Sequence, residues 1–201
     1  MLKLLLATNN KGKVREFHSL LKDCGVELVT PSQMGMTLDV HESGSTYEEN
    51  ARLKAEAFAS ASGLLTLADD SGLEVDALNG EPGIRSSRYA GEGASDTQRV
   101  NFLLSKLIGV TAEKRSAHFC CVVALATPNG ILGFFSGRCD GFIINQPRGA
   151  NGFGYDPIFL FPDLNKTMAE LPEEVKNKIS HRARAVQKAR QELWNIANGL
   201  V

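Results

Sequence analysis

An α/β fold with a mixed sheet is the class this sequence predicts. Apolar strand-like runs alternate with helical stretches early in the chain, and a hairpin follows late, at His118–Ala126, Pro128-Asn129-Gly130 and Ile131–Gly137. The length of 201 residues, with 43% hydrophobic and 22% charged residues, supports one folded domain over 1–201, with room for a small lobe.

The elements follow in order. Residues 2–7 form a first strand. Val14, Phe17 and Leu21 at helical spacing predict a helix from about Lys11 to Lys22, and Val26–Val29 a second strand. Pro31 to Ser45 is a long loop, of the kind that often carries function. Thr46, with Glu49 three residues on, predicts a capped helix to about Ser60. The run Leu64 to Ala68 reads as a buried strand, and 73–77 as a short one. Ser95 or Asp96 caps a helix through Leu107. After the hairpin come short strands at Phe142–Ile144 and Pro157–Phe161. Ser180 caps the last helix, whose apolar stripe is Val186, Ala189, Leu193, Ile196 and Leu200.

The bulk numbers exclude some functions. A net charge of −1 argues against a broad electrostatic grip on nucleic acid. No apolar stretch is long enough for a signal peptide or a membrane span, so a cytoplasmic protein is the expectation. Cys24, Cys120, Cys121 and Cys139 match no zinc or redox spacing and read as small buried hydrophobes.

Four segments carry chemistry. In Ala68-Asp69-Asp70-Ser71-Gly72, two acids end an apolar strand. Successive strand residues point to opposite faces, so the two acids cannot do the same job. One is delivered to the mouth of the sheet as a magnesium ligand or general base, while the plain alternative is an Asp-Asp-Ser-Gly turn. The second and third segments are helix starts that carry cations: Thr8-Asn9-Asn10-Lys11-Gly12-Lys13 and Ser180-His181-Arg182. Positive charge is unfavourable at a helix N-terminus unless an anion joins it. A solvated lysine cluster is the alternative at either site. Fourth, Gly152-Phe153-Gly154-Tyr155-Asp156 presents a ring on a pliable backbone, suited either to stacking on a nucleobase or to anchoring a turn. Asn50 and Lys54 share one helix face, and Glu42 in the long loop is an available oxygen ligand.

Six ordered motifs together resemble the inosine/xanthosine triphosphate pyrophosphatase family. They are Leu6–Lys13, Thr46–Ala51, Ala68–Leu73, Glu81–Tyr89, Gly152–Pro157 and Ser180–Arg182, in the family's order, and the resemblance extends over nearly the whole chain. The resemblance implies an elongated mixed sheet with flanking helices and two lobes around a central cleft. It implies hydrolysis of noncanonical purine nucleoside triphosphates (ITP, dITP, XTP) to the monophosphate and pyrophosphate, with Mg2+ and as a homodimer. By position, Thr8, Asn9, Asn10, Lys11, Gly12 and Lys13 hold the phosphates, with Lys54 assisting. Asp70 is the proton acceptor and a magnesium ligand, Glu42 a second metal ligand, and Asp69 auxiliary. Ser71 contacts substrate. Phe153, Gly154, Tyr155 and Asp156 line the base pocket with Lys176, His181 and Arg182. Where many relatives carry a second acid, this chain has His41 beside Glu42. Donors such as Lys176 or Arg182 that meet a 6-oxo purine would be left unpaired by adenine. A Maf-like pyrophosphatase of other base specificity and a non-catalytic nucleotide sensor are the rival readings.

Overall fold

A computed structural model of the chain describes residues 1–200. The main elements are β1 (Leu2–Leu6), α1 (Lys11–Leu20), β2 (Val26–Val29), α2 (Tyr47–Ser62), β3 (Leu65–Val75) and α3 (Asp96–Lys106). They continue with β4 (Ser116–Thr127), β5 (Gly130–Ile143), β6 (Phe159–Phe161), β7 (Lys166–Thr167), α4 (Glu173–Ile179) and α5 (His181–Ala197). The strands form one seven-stranded sheet in the order β2-β1-β3-β4-β5-β6-β7. β1 runs parallel to β2 and β3, with Leu5 opposite Val29 and Thr66, whereas β6 is antiparallel to β5 and β7. The sheet is therefore mixed, as the alternation of elements predicts.

The chain divides into two compact units. The first holds Met1–Asp70, Cys121–Gly137 and the chain from Arg182 onward. Period-2 alternation gives it two apolar layers. Leu4, Leu6, Leu67, Val123 and Leu125 pack with Phe17 of α1 and with Val186, Ala189 and Leu193 of α5. Leu5, Ala7, Ala68, Ala124 and Ala126 point the other way, onto Ala51, Ala55, Phe58 and Ala59 of α2. Small residues on both partners let α2 lie close to the strands. Each fully buried Leu or Phe contributes about 1.5–3 kcal/mol.

The second unit holds Ser71–Cys120 and Arg138–His181. Its core gathers Leu73, Val75, Val100, Leu103, Phe119, Ile158, Phe159 and Met168. Phe159 packs against Phe119 with ring centroids 4.7 Å apart, and edge-on against Phe161 at 5.3 Å. Ser95 and Gln98 form a reciprocal capping box that starts α3.

The structure departs from the sequence expectation in several places. Leu200, expected on the apolar stripe of the last helix, lies past the end of α5 and is exposed, because the helix stops at Ala197. β3 runs through Gly72 to Val75, so Asp69 and Asp70 lie inside the strand rather than at its end, and the turn reading fails. Alternation explains this: Leu73 and Val75 are fully buried while Glu74 is not, which keeps the pleat going past the glycine. β5 likewise absorbs the separately expected strand at 142–143. Finally, Lys176 lies within a short helix, α4, that the sequence reading did not separate. Ser180, extended at φ −69° and ψ 158°, closes α4 and directly precedes α5.

Candidate active site

Adjacent acids on β3 sit in two different environments within the first unit. Asp69 is the hub of a buried charge network. Its Oδ2 lies 2.9 Å from Lys13 Nζ of α1 and 3.4 Å from Arg182 Nη2 of α5. The Arg182 guanidinium also pairs with Glu16 and lies over the Phe17 ring, 5.8 Å from its centroid. α1 thus offers Lys13, Glu16 and Phe17 on one helical face, since positions three and four apart are neighbours. Burial alone would raise the Asp69 pKa; Lys13, Arg182 and Lys54 outweigh it and hold the carboxyl well below its usual range. Asp69 is therefore a charged, fixed counter-ion.

Asp70 is differently placed. Asn50 Nδ2 donates to its Oδ2 at 3.0 Å, and Lys54 Nζ lies 3.9 Å from its Oδ1. Lys54 donates to Glu42 Oε1 at 2.6 Å and to the Asp69 backbone carbonyl at 2.7 Å. Burial pushes the Asp70 carboxyl up, Lys54 and Lys13 counter it only in part, and the Glu42 charge adds to the rise. Burial would lower the Lys54 pKa, but Asp70, Asp69 and Glu42 raise it, so the ammonium stays charged.

Glu42 reaches this place because its loop is pinned to α2. The Gly44 N–H donates to Asn50 Oδ1 at 2.8 Å, and Asn50 is fully buried. A side chain at Gly44 would meet Glu49 Cβ at 2.6 Å and Asn50 Oδ1 at 2.7 Å. Asn50 therefore ties the loop and Asp70 together through the two ends of one amide. The Asn50/Lys54 spacing was visible in the sequence; the Asn50 bridge itself was not.

The loop before α1 is held by its own hydrogen bonds. Asn10 is the N-cap and accepts from Gly12 N at 2.9 Å and Lys13 N at 3.0 Å. Thr8 Oγ1 accepts from Asn10 N at 3.2 Å, and Asn9 Oδ1 accepts from Ser32 Oγ at 3.1 Å. Lys11 is exposed and Gly12 buried.

Another set of residues lies in the second unit. Asp156 Oδ2 accepts from the Phe153 N–H at 3.0 Å and from Lys176 Nζ at 2.5 Å. The same ammonium stands 5.4 Å from the Phe153 ring centroid. Gly152, at φ +77°, is wrapped so tightly here that a side chain would collide with the Asp156 carboxylate. Gly154 N donates to Asp96 Oδ2 at 2.7 Å, and the Tyr155 hydroxyl donates to Ser86 O at 2.9 Å. The sequence reading had Asp96 only as a helix cap and Ser86 only within the Glu81–Tyr89 motif; as partners of this loop, 58 and 69 residues away, they carry no local signal. His181 stacks on Phe119, with centroids 4.7 Å apart and planes 12° apart. Ser71 is half-buried on β3. So Lys13, Lys54, Glu42, Asp70 and Arg182 belong to the first unit, and Phe153, Gly154, Tyr155, Asp156, Lys176 and His181 to the second.

Magnesium takes hard oxygen ligands. Asp70 and Glu42 offer carboxylates held to one lysine, with negative charge on Asp70 that its neighbours leave under-compensated. That donor chemistry fits a magnesium ion.

The chain is similar to known proteins in sequence and in fold. The profile of the Ham1 family matches residues 4–192. A dITP/XTP pyrophosphatase of Desulforamulus reducens is 50% identical over 192 residues, which is 96% of this chain and 96% of that one. A HAM1 protein from Coxiella burnetii superposes with a TM-score of 0.86 at 43% identity, covering 96% of this chain and 98% of that chain. The Staphylococcus aureus Ham1 protein gives 0.83 at 46% identity, covering 95% and 97%.

Proposed function

The chain belongs to the Ham1 family, and from that premise we propose that it hydrolyses noncanonical purine nucleoside triphosphates (dITP, ITP and XTP) to the monophosphate and pyrophosphate. It is a hydrolase of acid anhydrides. The observation that carries its mechanism is the divergence of Asp69 and Asp70. Two neighbouring carboxyls pushed in opposite directions by their surroundings are the pattern of a divided acid–base assignment.

In this reading Asp70 positions the attacking water and accepts its proton. Asn50 fixes the carboxyl rotamer by holding Oδ2. A magnesium ion held by Asp70 and Glu42 would offset the charge on the phosphate oxygens. Lys54 and Lys13 supply fixed positive charge for the triphosphate. Asp69 keeps Lys13 and Arg182 oriented and desolvated. Lys176 donates to the 6-oxo group of the base, with Asp156 fixing its ammonium. Phe153 offers a stacking face. Adenine carries a donor where this lysine needs an acceptor.

A homodimer working in the cytoplasm belongs to the same proposal. Its support is the family resemblance, and light scattering of the purified protein checks the dimer. Among the described residues no helix is long and apolar enough to cross a membrane.

The test is a panel of ITP, XTP, dITP, GTP and ATP, with and without magnesium, that resolves monophosphate from diphosphate products. Inosine and xanthosine triphosphates should be turned over with release of pyrophosphate, and chelation should abolish it. Equal kcat/KM for ITP and ATP, or release of orthophosphate, would overturn the reading.

A further inference from the structure

Outside the groups already described, one cluster joins three kinds of metal-binding donor. Glu74 lies on β3, and His118 and Cys120 on the neighbouring β4. His118 and Cys120 are two apart, so the pleat puts them on one face of the strand. Their ligand atoms and a Glu74 carboxylate oxygen all lie within 4.8 Å of one another. All three side chains are half-buried. They belong to the second unit, whereas Asp70 and Glu42 belong to the first.

We propose that Glu74, His118 and Cys120 bind one zinc ion per chain, with the fourth position left to water. Several observations support this. Imidazole, thiolate and carboxylate are each zinc ligands, and three protein ligands leave the fourth tetrahedral position open. Such ligands sit about 3.3–3.8 Å apart around bonds of 2.0–2.3 Å, so His118 Nε2 and Glu74 Oε2, at 2.7 Å, must open by roughly half an ångström, and no pair has to close by more than about an ångström. The softness of the thiolate selects zinc over magnesium, which prefers oxygen alone.

The surroundings have what an imidazole ligand needs behind it. His118 Nε2 lies 2.7 Å from Glu74 Oε2, and its Nδ1 faces Asp76 Oδ1 at 3.8 Å. Asp76 is itself held by Ser116 Oγ at 2.5 Å. The Asp76 charge on that side favours the tautomer with its proton on Nδ1, which presents Nε2 to a metal. On binding, the proton between Nε2 and Glu74 leaves to solvent, zinc takes its place, and the neutral ring carries its one proton on Nδ1, on the side of Asp76. The Cys120 thiol gives up its proton to solvent and becomes the thiolate ligand. The nearby cation, Arg138, is engaged with Asp140 at 2.8 Å, so it does not replace the metal.

Titration of the metal-free full chain with zinc, in competition with a chromophoric chelator, tests the site. Wild type should take up one tight equivalent per chain. Cobalt should give the thiolate charge-transfer band of a Cys-ligated ion. Cys120→Ser should abolish that band, and Cys120→Ser and His118→Gln should each weaken zinc by about 100-fold. Asp76→Asn should weaken it by about 10-fold. Asp70→Asn should keep the band, so the zinc site and the hydrolytic assignment are judged separately. Circular dichroism of each metal-free variant confirms folding. No stoichiometric binding by wild type, or a band that survives Cys120→Ser, would overturn the proposal. So would unchanged zinc affinity in both His118→Gln and Glu74→Gln.

Discussion

Asp69 and Asp70 are consecutive, both buried, and both on β3, yet they are not equivalent. Asp69 faces two cations from two helices and stays ionised. Asp70 faces an amide, a more distant ammonium and a second carboxylate, and its charge is under-compensated. A carboxyl whose charge is fully answered by the fold is structural. One left short of counter-charge is ready for a ligand that brings its own. Reversal of the two roles is the outcome that would break this contrast.

The largest effect belongs to Asp70→Asn. It keeps shape and removes the acceptor, so kcat should fall by about 10²–10⁴. The midpoint of urea unfolding should hold or rise, because a buried carboxyl held against its preference is gone. Steady-state kinetics and urea unfolding on the same preparation check both. Near-normal turnover would remove Asp70 from the chemistry.

Asp69→Asn comes next and inverts the pattern. Lys13 and Arg182 lose their shared counter-ion while still buried. Breaking a buried pair on one side costs about 3–5 kcal/mol. The urea midpoint should drop sharply, with kcat of the folded fraction falling less than in Asp70→Asn. A stable, inactive Asp69→Asn protein would mean that Asp69, not its neighbour, does the chemistry.

The same contrast shows what was legible in the sequence. Period-2 alternation was enough to say that the two acids have different jobs, and it placed the β3 core correctly. Helical spacing located α1 and α5, because Val14/Phe17 and Val186/Ala189/Leu193 mark one buried face each, and the Thr46/Glu49 signal located the start of α2. Partners set by tertiary packing were not legible. Glu16 reaches Arg182 across 166 residues, and Asp96 reaches Gly154 across 58. No local preference signals such pairs. Gly72 looked like a strand terminus because glycine is a common breaker, but burial of Leu73 and Val75 overrides that tendency. Cys120 read as a hydrophobe because the Glu74 carboxylate near it lies on another strand.

Gly152→Ala probes the second unit and has a smaller effect. Its positive φ and the crowding against Asp156 make a side chain costly, by roughly 1 kcal/mol or more. The Asp156–Lys176 pair must shift, so the KM for ITP should rise more than kcat falls, and preference over ATP should shrink. An unchanged ITP/ATP ratio would show that this loop does not set base choice.

The smallest effect is the pH dependence of stability. The Asp69 pKa is lowered from an ordinary value of 3.8 on folding. Between those two values the unfolded chain binds more protons, so its contribution is present above pH 3.8 and is lost as pH falls below it. The Asp70 pKa is raised from the same 3.8, so its contribution is present at low pH and is lost as pH rises through the folded value. The two neighbours therefore bend the stability curve in opposite directions. Urea midpoints measured across the acid range, in metal-free buffer, should fall less steeply toward low pH in Asp69→Asn than in wild type. In Asp70→Asn they should fall more steeply, because the group that favoured acid is gone while Asp69 remains. Equal slopes in all three proteins would mean that folding moves neither carboxyl's pKa, and the division of labour on β3 would have no electrostatic basis.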